Sequence, residues 1–154
     1  METAELDRLT NLFYSFKQRG ERHFSKKEFL NWYSANIDLG CYYCGLEIET
    51  QISIIESGKL SSNRFFTYKY KNKSGVEKYG TRGKSFEVDR KNPKGPYSSS
   101  NCVLCCYFCN NDKSDVFISE QYLKFIGGNK ENKKNNPRYI YLKSLLDNLK
   151  HKNK

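Results

Sequence analysis

The chain has 154 residues, with 27 Lys and Arg against 17 Asp and Glu, a formal net charge of +10 and a pI near 9.3. That length suits one domain, or one domain with appendages. No apolar run approaches the roughly 20 residues of a membrane-spanning helix. Without a secretory signal pattern the expected location is the cytoplasm of a prokaryotic or phage-infected cell, where cysteines stay reduced.

The charge is unevenly spread. Residues 1–56 hold six basic and nine acidic side chains, net −3, residues 57–123 hold twelve and six, net +6, and residues 124–154 hold nine and two, net +7. A basic second half suits a polyanion, whose condensed counterions are released on binding so that affinity falls steeply with salt. A surface kept basic for solubility is the competing reading.

In chain order, Leu6, Leu9, Leu12, Phe13 and Phe16 recur at spacings of three and four, which predicts an amphipathic helix over residues 1–19. Ser25 followed by Glu28 is a capping box opening a second helix, KKEFLNWYSANI. Its Phe29, Leu30, Trp32 and Tyr33 are expected to pack against the first cysteine pair. His23, just before the cap, is either a surface histidine or a catalytic one. EIETQISIIESGKL reads as a strand or a short helix. RFFTYKYKNKSGVEKYG has period-two aromatics around an NKSG turn and predicts a β-hairpin. From Lys59 to Lys84 there are eight basic residues and one acid, Glu77. Lys69, Lys71, Lys73, Arg82 and Lys84 are therefore candidates to contact DNA, against the alternative of an edge hairpin whose lysines prevent aggregation.

Residues 84–114 hold the chain together. KSFEVD alternates, with Phe86 and Val88 on one face and Glu87 and Asp89 on the other. RKNPKGPYSSSN is loop by composition, CVLCC can pair back antiparallel to the first strand, and YFCNNDKS opens a short helix. Such a ββα unit is too small to bury much core and needs a staple. Cys41–Cys44 and Cys106–Cys109 supply it, because two C-x-x-C pairs make the four-thiolate set of a closed structural zinc site. Cys102 and Cys105 share that spacing, but they fall on the strand, where a free cysteine acts as a small buried hydrophobe. After the unit, Ser119 starts a helix closed by Gly127 and Gly128, followed by a polar linker. Pro137 opens a last helix with Tyr141, Leu145, Leu146 and Leu149 on one stripe, packed on the domain or paired with a partner, which leaves a homodimer open.

The string VDR…GPY…N…CCYFCNNDKS, preceded by FSKKEFLNWYSANIDLGCYYCG, resembles the HNH (His-Me finger, ββα-metal) endonucleases. The closer likeness is to the branch in which Asp-Arg replaces Asp-His, which includes phage nucleases and a restriction enzyme. The resemblance covers roughly residues 24–46 and 84–126. It implies an α+β fold: a ββα-metal core stapled by the four-cysteine zinc site and flanked by helices and a basic β-hairpin. A single domain 1–154 is expected, with helices in 1–40, the core and its inserted basic segment in 41–118, and helices and tail in 119–154.

The resemblance further implies a metal-dependent DNA endonuclease that hydrolyses phosphodiester bonds, expected to be site-specific and of restriction, homing or phage type. A non-catalytic zinc-stapled DNA-binding module and an RNA-acting nuclease are the alternatives. Asp89 and Asn110 match the positions that hold a catalytic Mg²⁺ or Mn²⁺, and their oxygen donors suit such a cation. Asn101 matches the structural Asn that ties the loop, and Lys113 the closing Lys, expected to neutralise phosphate. Arg90 stands where most of the family has a histidine base, and a guanidinium cannot take a proton in water. Three readings follow: the site is inactive, Arg90 binds the scissile phosphate while another residue is the base, or a metal-bound water needs no protein base. Tyr97, His23 and His151 are the side chains able to take the proton, with Tyr97 favoured by its place in the loop between Arg90 and Asn101.

Overall fold

The computed structural model describes residues 3–60, 67–71, 75–81, 83–128, 131 and 133–150, with only the backbone at 3–4, 67–71, 77–81 and 148–150. Among the described residues, six α-helices and two separate antiparallel strand pairs follow in the order α1 (Thr3–Phe16), α2 (Lys26–Asn36), α3 (Ile48–Glu56), β1 (Thr67–Lys71), β2 (Glu77–Thr81), β3 (Glu87–Arg90), β4 (Cys102–Cys105), α4 (Tyr107–Lys113), α5 (Ser119–Phe125) and α6 (Pro137–Lys150).

The helical arm forms as its pattern dictates. Leu9, Phe13 and Phe16 of α1 are buried on one face. Arg8 grips Glu5 through two hydrogen bonds of 2.6 and 2.7 Å and reaches Tyr33 Oη at 2.9 Å. Ser25 caps α2: its hydroxyl accepts from the Glu28 N–H while the Glu28 carboxylate accepts from the Ser25 N–H. Of the α2 aromatics, Phe29 packs on α1. Phe29 lies 5.8 Å from Phe13 and 5.3 Å from Phe16 between ring centroids, so the rings close the seam with α1. Residues 48–56 resolve as helix, because Gln51 and Ile54 point inward three apart. Gln51 is fully buried and pins three elements: its amide donates to the Gly83 and Ser85 carbonyls, and its carbonyl accepts from the Tyr107 N–H at 2.8 Å.

The basic hairpin pairs β1 with β2, Thr67 opposite Thr81 and Lys71 opposite Glu77. The second pair sets Glu87 opposite Cys105 and Arg90 opposite Cys102, and α4 follows after one residue, completing the ββα unit. In β3 the expected half-buried alternation is inverted at one position. Asp89 is buried and Val88 only half-buried, because Asp89 meets polar partners inside. Gly127, at φ +65, closes α5, and Gly128 N–H returns to the Leu123 carbonyl at 2.8 Å. The last helix packs on α3, with Lys59 Nζ bonded to the Leu145 carbonyl at 2.6 Å. Its buried residues include Tyr139 and Leu142, whereas Tyr141, expected on the inner stripe, is 59% exposed. Within the expected polar linker, residues 133–135 form a short 3₁₀ turn, and Lys134 pairs with Glu47 at 3.1 Å.

Candidate functional site

Two centres meet on the ββα unit. The first is the cysteine cluster. Gly40 and Gly45, at φ +72 and +76, bracket the first knuckle, whose loop closes through Gly45 N–H to the Cys41 carbonyl at 2.8 Å. Cys106 caps α4 and so presents its sulfur beside Cys109. The four sulfurs of Cys41, Cys44, Cys106 and Cys109 all lie within 4.8 Å of one another and all four residues are buried. Cys44 and Cys106 Sγ are 3.7 Å apart. A tetrahedral Zn²⁺ with Zn–S bonds of about 2.3 Å needs sulfurs about 3.8 Å apart, so this donor set fits zinc. Cys102 and Cys105 lie on β4 outside the cluster, where burial pushes the Cys102 thiol up to about 12 and Cys105 well above its ordinary value. They stay protonated and apolar in character.

The second centre is an open pocket of about 330 Å³ lined by residues of β3, the loop after it, α4 and the residues just beyond it, and the turn after α1. Asp89, Arg90, Tyr97 and Asn110 line it together, as do Arg19, Ser114 and Asp115. Asp89 is gripped from two sides. Tyr43 Oη donates to Asp89 Oδ2 at 2.5 Å, and the Lys113 ammonium lies 3.1 Å from Oδ2 and 3.2 Å from Oδ1. Burial pushes the Asp89 carboxyl above the ordinary carboxylate range, with the Tyr43 hydroxyl and the Lys113 charge pulling it back down. Burial and the adjacent Asp89 charge raise the Tyr43 phenol far above its ordinary value, so Tyr43 stays a neutral donor. Across the strand, the Asn110 amide donates to Glu87 Oε2, and the Cys105 thiol lies 3.8 Å from its carbonyl oxygen. A carboxylate and an amide carbonyl lining one pocket are hard oxygen donors of the kind Mg²⁺ or Mn²⁺ takes.

Lys113 departs from the expected phosphate-neutralising role. It is fully buried, and its ammonium donates also to the Arg90 and Ser114 carbonyls at 3.0 and 3.3 Å. A lysine at the end of a seven-residue helix packed on β3 points its amine inward, where, among the described residues, Asp89 is its ion-pair partner. Arg90 is likewise engaged, 14% exposed, with Nη1 bonded to the Gly95 carbonyl at 3.2 Å, its guanidinium 4.7 Å over the Tyr97 ring and Nη2 3.8 Å from Asp115. Tyr97 itself is buried and stacked on Phe16, ring centroids 4.2 Å apart and planes within 6°.

The loop carrying Tyr97 is tied by Asn101. Its amide donates to the Asn92 and Pro96 carbonyls and its carbonyl accepts from the Asn92 N–H at 3.0 Å. Gly95 makes this approach possible, since a Cβ there would sit 2.7 Å from Asn101 Nδ2. A three-residue bridge docks the arm to the same loop: Tyr97 N–H bonds the Glu21 carbonyl at 2.7 Å and His23 N–H the Tyr97 carbonyl at 2.8 Å. His23 thus contributes backbone, while its imidazole is 58% exposed beside Glu21 and does not line the Asp89 pocket. Lys84 pairs with Glu56 at 3.4 Å on the surface. Lys69 and Lys71 fall on β1, whose side chains lie outside the description, and Lys73, Arg82 and His151 lie outside the described residues.

Sequence reasoning did not find Tyr43, which holds Asp89 from behind, nor Arg19, Asn111, Ser114 and Asp115, which line the pocket. Tyr43 sits inside the first knuckle, 46 positions from Asp89, and nothing local marks it as a partner. Arg19 lies in a segment that reads as a helix end.

Among solved structures the fold is similar to that of the rare-cutting HNH restriction endonuclease PacI, with a TM-score of 0.52 and 21% sequence identity over 78% of this chain and 72% of that one. The likeness is one of fold, and it coincides with the HNH resemblance carried by the motif. No protein-family model and no curated protein sequence matches the chain.

Proposed function

We propose that the chain is an HNH-type DNA endonuclease that depends on a divalent cation, with Asp89 and Asn110 holding the ion and Cys41, Cys44, Cys106 and Cys109 holding a structural zinc. The observation that carries this reading is the Asp89 grip. A buried carboxylate is kept oriented by Tyr43 and Lys113 at the floor of an open pocket that Asn110, Arg90 and Tyr97 also line. When bound, Mg²⁺ or Mn²⁺ supplies a Lewis acid for the phosphate and the leaving 3′ oxygen. Lys113 and Tyr43 hold the Asp89 oxygens in place, so little reorganisation is needed at the moment of reaction. Arg90, clamped between Tyr97 and Gly95, presents a fixed positive edge to the pocket. Tyr97 lines the same pocket, and we assign its phenol the role of taking a proton from the attacking water. His23 is set aside for that role, since its imidazole lies away from the pocket.

The net charge of +10 and the fold likeness to a restriction enzyme favour DNA as the substrate, cut at specific sites. Incubating zinc-loaded protein with supercoiled plasmid, with and without Mg²⁺, tests this. Nicking or linearisation only with the metal, lost in Asp89→Asn and Asn110→Ala, is the expected result. An inert wild type that still binds DNA would leave the binding-module reading, and cleavage of RNA alone would replace the substrate.

A further inference from the structure

The pocket holds two guanidinium groups, and they are not equivalent. Arg90 is engaged by the Gly95 carbonyl, the Tyr97 ring and Asp115. Arg19 is exposed, and among the described residues its guanidinium has no hydrogen bond, ion pair or ring partner. Charge bookkeeping points the same way. Lys113 balances Asp89 and Arg90 lies beside Asp115, so Arg19 is the surplus positive charge lining the pocket.

The position of Arg19 is set by structure rather than by a loose loop. Its N–H bonds the Phe16 carbonyl at 2.9 Å, and the following Gly20 N–H bonds the same carbonyl at 3.1 Å. Phe16 is stacked on Tyr97, and Glu21, two residues on, bonds the Tyr97 N–H. Gly20 itself passes so close that a Cβ would lie 3.1 Å from Arg90 Nη1. The end of α1 is therefore fastened to the loop of the ββα unit on both sides of Arg19.

We propose that Arg19, delivered from outside the ββα unit, binds a phosphate of the nucleic-acid backbone at the pocket, while Arg90 orders the Tyr97 loop. The rigid fork of a guanidinium matches two phosphate oxygens at once, and an unpaired one has no internal bond to surrender on binding. This rests on the nuclease reading above, and it makes the N-terminal arm part of the substrate site.

The test uses the full zinc-loaded chain. Anisotropy titrations of a short fluorescein-labelled DNA duplex, at several salt concentrations without Mg²⁺, compare wild type with Arg19→Ala, Arg19→Lys and Lys17→Ala. Lys17 lines a separate cavity and serves as the control for general surface charge. Arg19→Ala should weaken binding about 10-fold and lower the salt slope by about one, the change expected for one lost phosphate contact. Lys17→Ala should change affinity less than ~2-fold, and Arg19→Lys should recover part of the loss because the charge stays but the fork does not. Plasmid nicking with Mg²⁺ should fall at least as far in Arg19→Ala. If Arg19→Ala binds and cuts like a wild type that does both, the inference is wrong and the nuclease reading stands. Equal losses in Arg19→Ala and Lys17→Ala would reduce the effect to general charge and overturn it. A wild type that neither binds nor cuts overturns both.

Discussion

Lys113→Met separates two roles for this lysine with one stability measurement. The ammonium is fully buried, 3.1 and 3.2 Å from the two Asp89 oxygens, and donates to two backbone carbonyls. Methionine keeps most of the stem volume but removes the charge and all of these bonds. Removing one member of a buried ion pair costs about 3–5 kcal/mol. Here the lower end, about 3 kcal/mol, is expected because Tyr43 still donates to Asp89. The effect also has a pH signature. Burial already holds the Asp89 carboxyl above its unfolded value, and losing the ammonium raises it further. With the folded pKa above the unfolded one, the unfolded chain ionises first, and stability is lost as pH rises through the window between the two values. The deficit relative to wild type is therefore largest near neutrality and shrinks on acidification. Urea titrations of the zinc-loaded, Mg²⁺-free protein at about pH 7 and about pH 5 measure both. Asp89→Asn combined with Lys113→Met should recover about 1–3 kcal/mol against the sum of the single changes, since the two residues touch. A Lys113→Met protein within about 1 kcal/mol of wild type that instead loses DNA affinity would refute the buried-pair account and return Lys113 to phosphate binding.

Cys41→Ser or Cys109→Ser should lose bound zinc and cooperative unfolding, because binding of a structural zinc is folding free energy. Cys102→Ser should keep zinc and lose only stability, and metal analysis with thermal melts distinguishes them. Tyr43→Phe keeps the ring, packed edge-on against Tyr42 and Tyr122, but removes the donor to Asp89. Cleavage should fall about 10-fold, as for a hydrogen bond to a charged group, with zinc content unchanged. Tyr97→Phe preserves the stack on Phe16 and the contact with Arg90, so the fold should hold while cleavage drops about 100-fold or more. His23→Ala should cut within ~3-fold of wild type. The reverse outcome in a single-turnover assay would make His23 the base and Tyr97 a packing residue.

Local chemistry made much of this molecule readable before any coordinates. The capping box at Ser25, the repeat of Leu9, Phe13 and Phe16, and the glycine stop after Phe125 are rules of single helices, satisfied within a few residues. The four-cysteine cluster was legible because two C-x-x-C knuckles carry their geometry in their spacing, and the excess cysteines could be set on β4 by the apolar run around them. The ββα unit followed from alternation, loop composition and motif order. What failed to read locally was orientation. Nothing in YFCNNDKS says that Lys113 turns inward, and nothing in the last helix says that Tyr139 and Leu142, rather than Tyr141, are buried.

The sequence by itself determined most of the helices, the hairpins and the cysteine set, since caps, periodicity and ligand spacing act between residues near one another in the chain, but it left residues 48–56 open between strand and helix. Only the tertiary structure decided which distant groups share the pocket. Tyr43 reaches Asp89 because the clustered cysteines anchor its loop beside the ββα unit. Arg19 reaches the pocket because Phe16 stacks on Tyr97. Both contacts depend on chain segments far apart in sequence being held at fixed distances by a common core, and no local pattern encodes that distance.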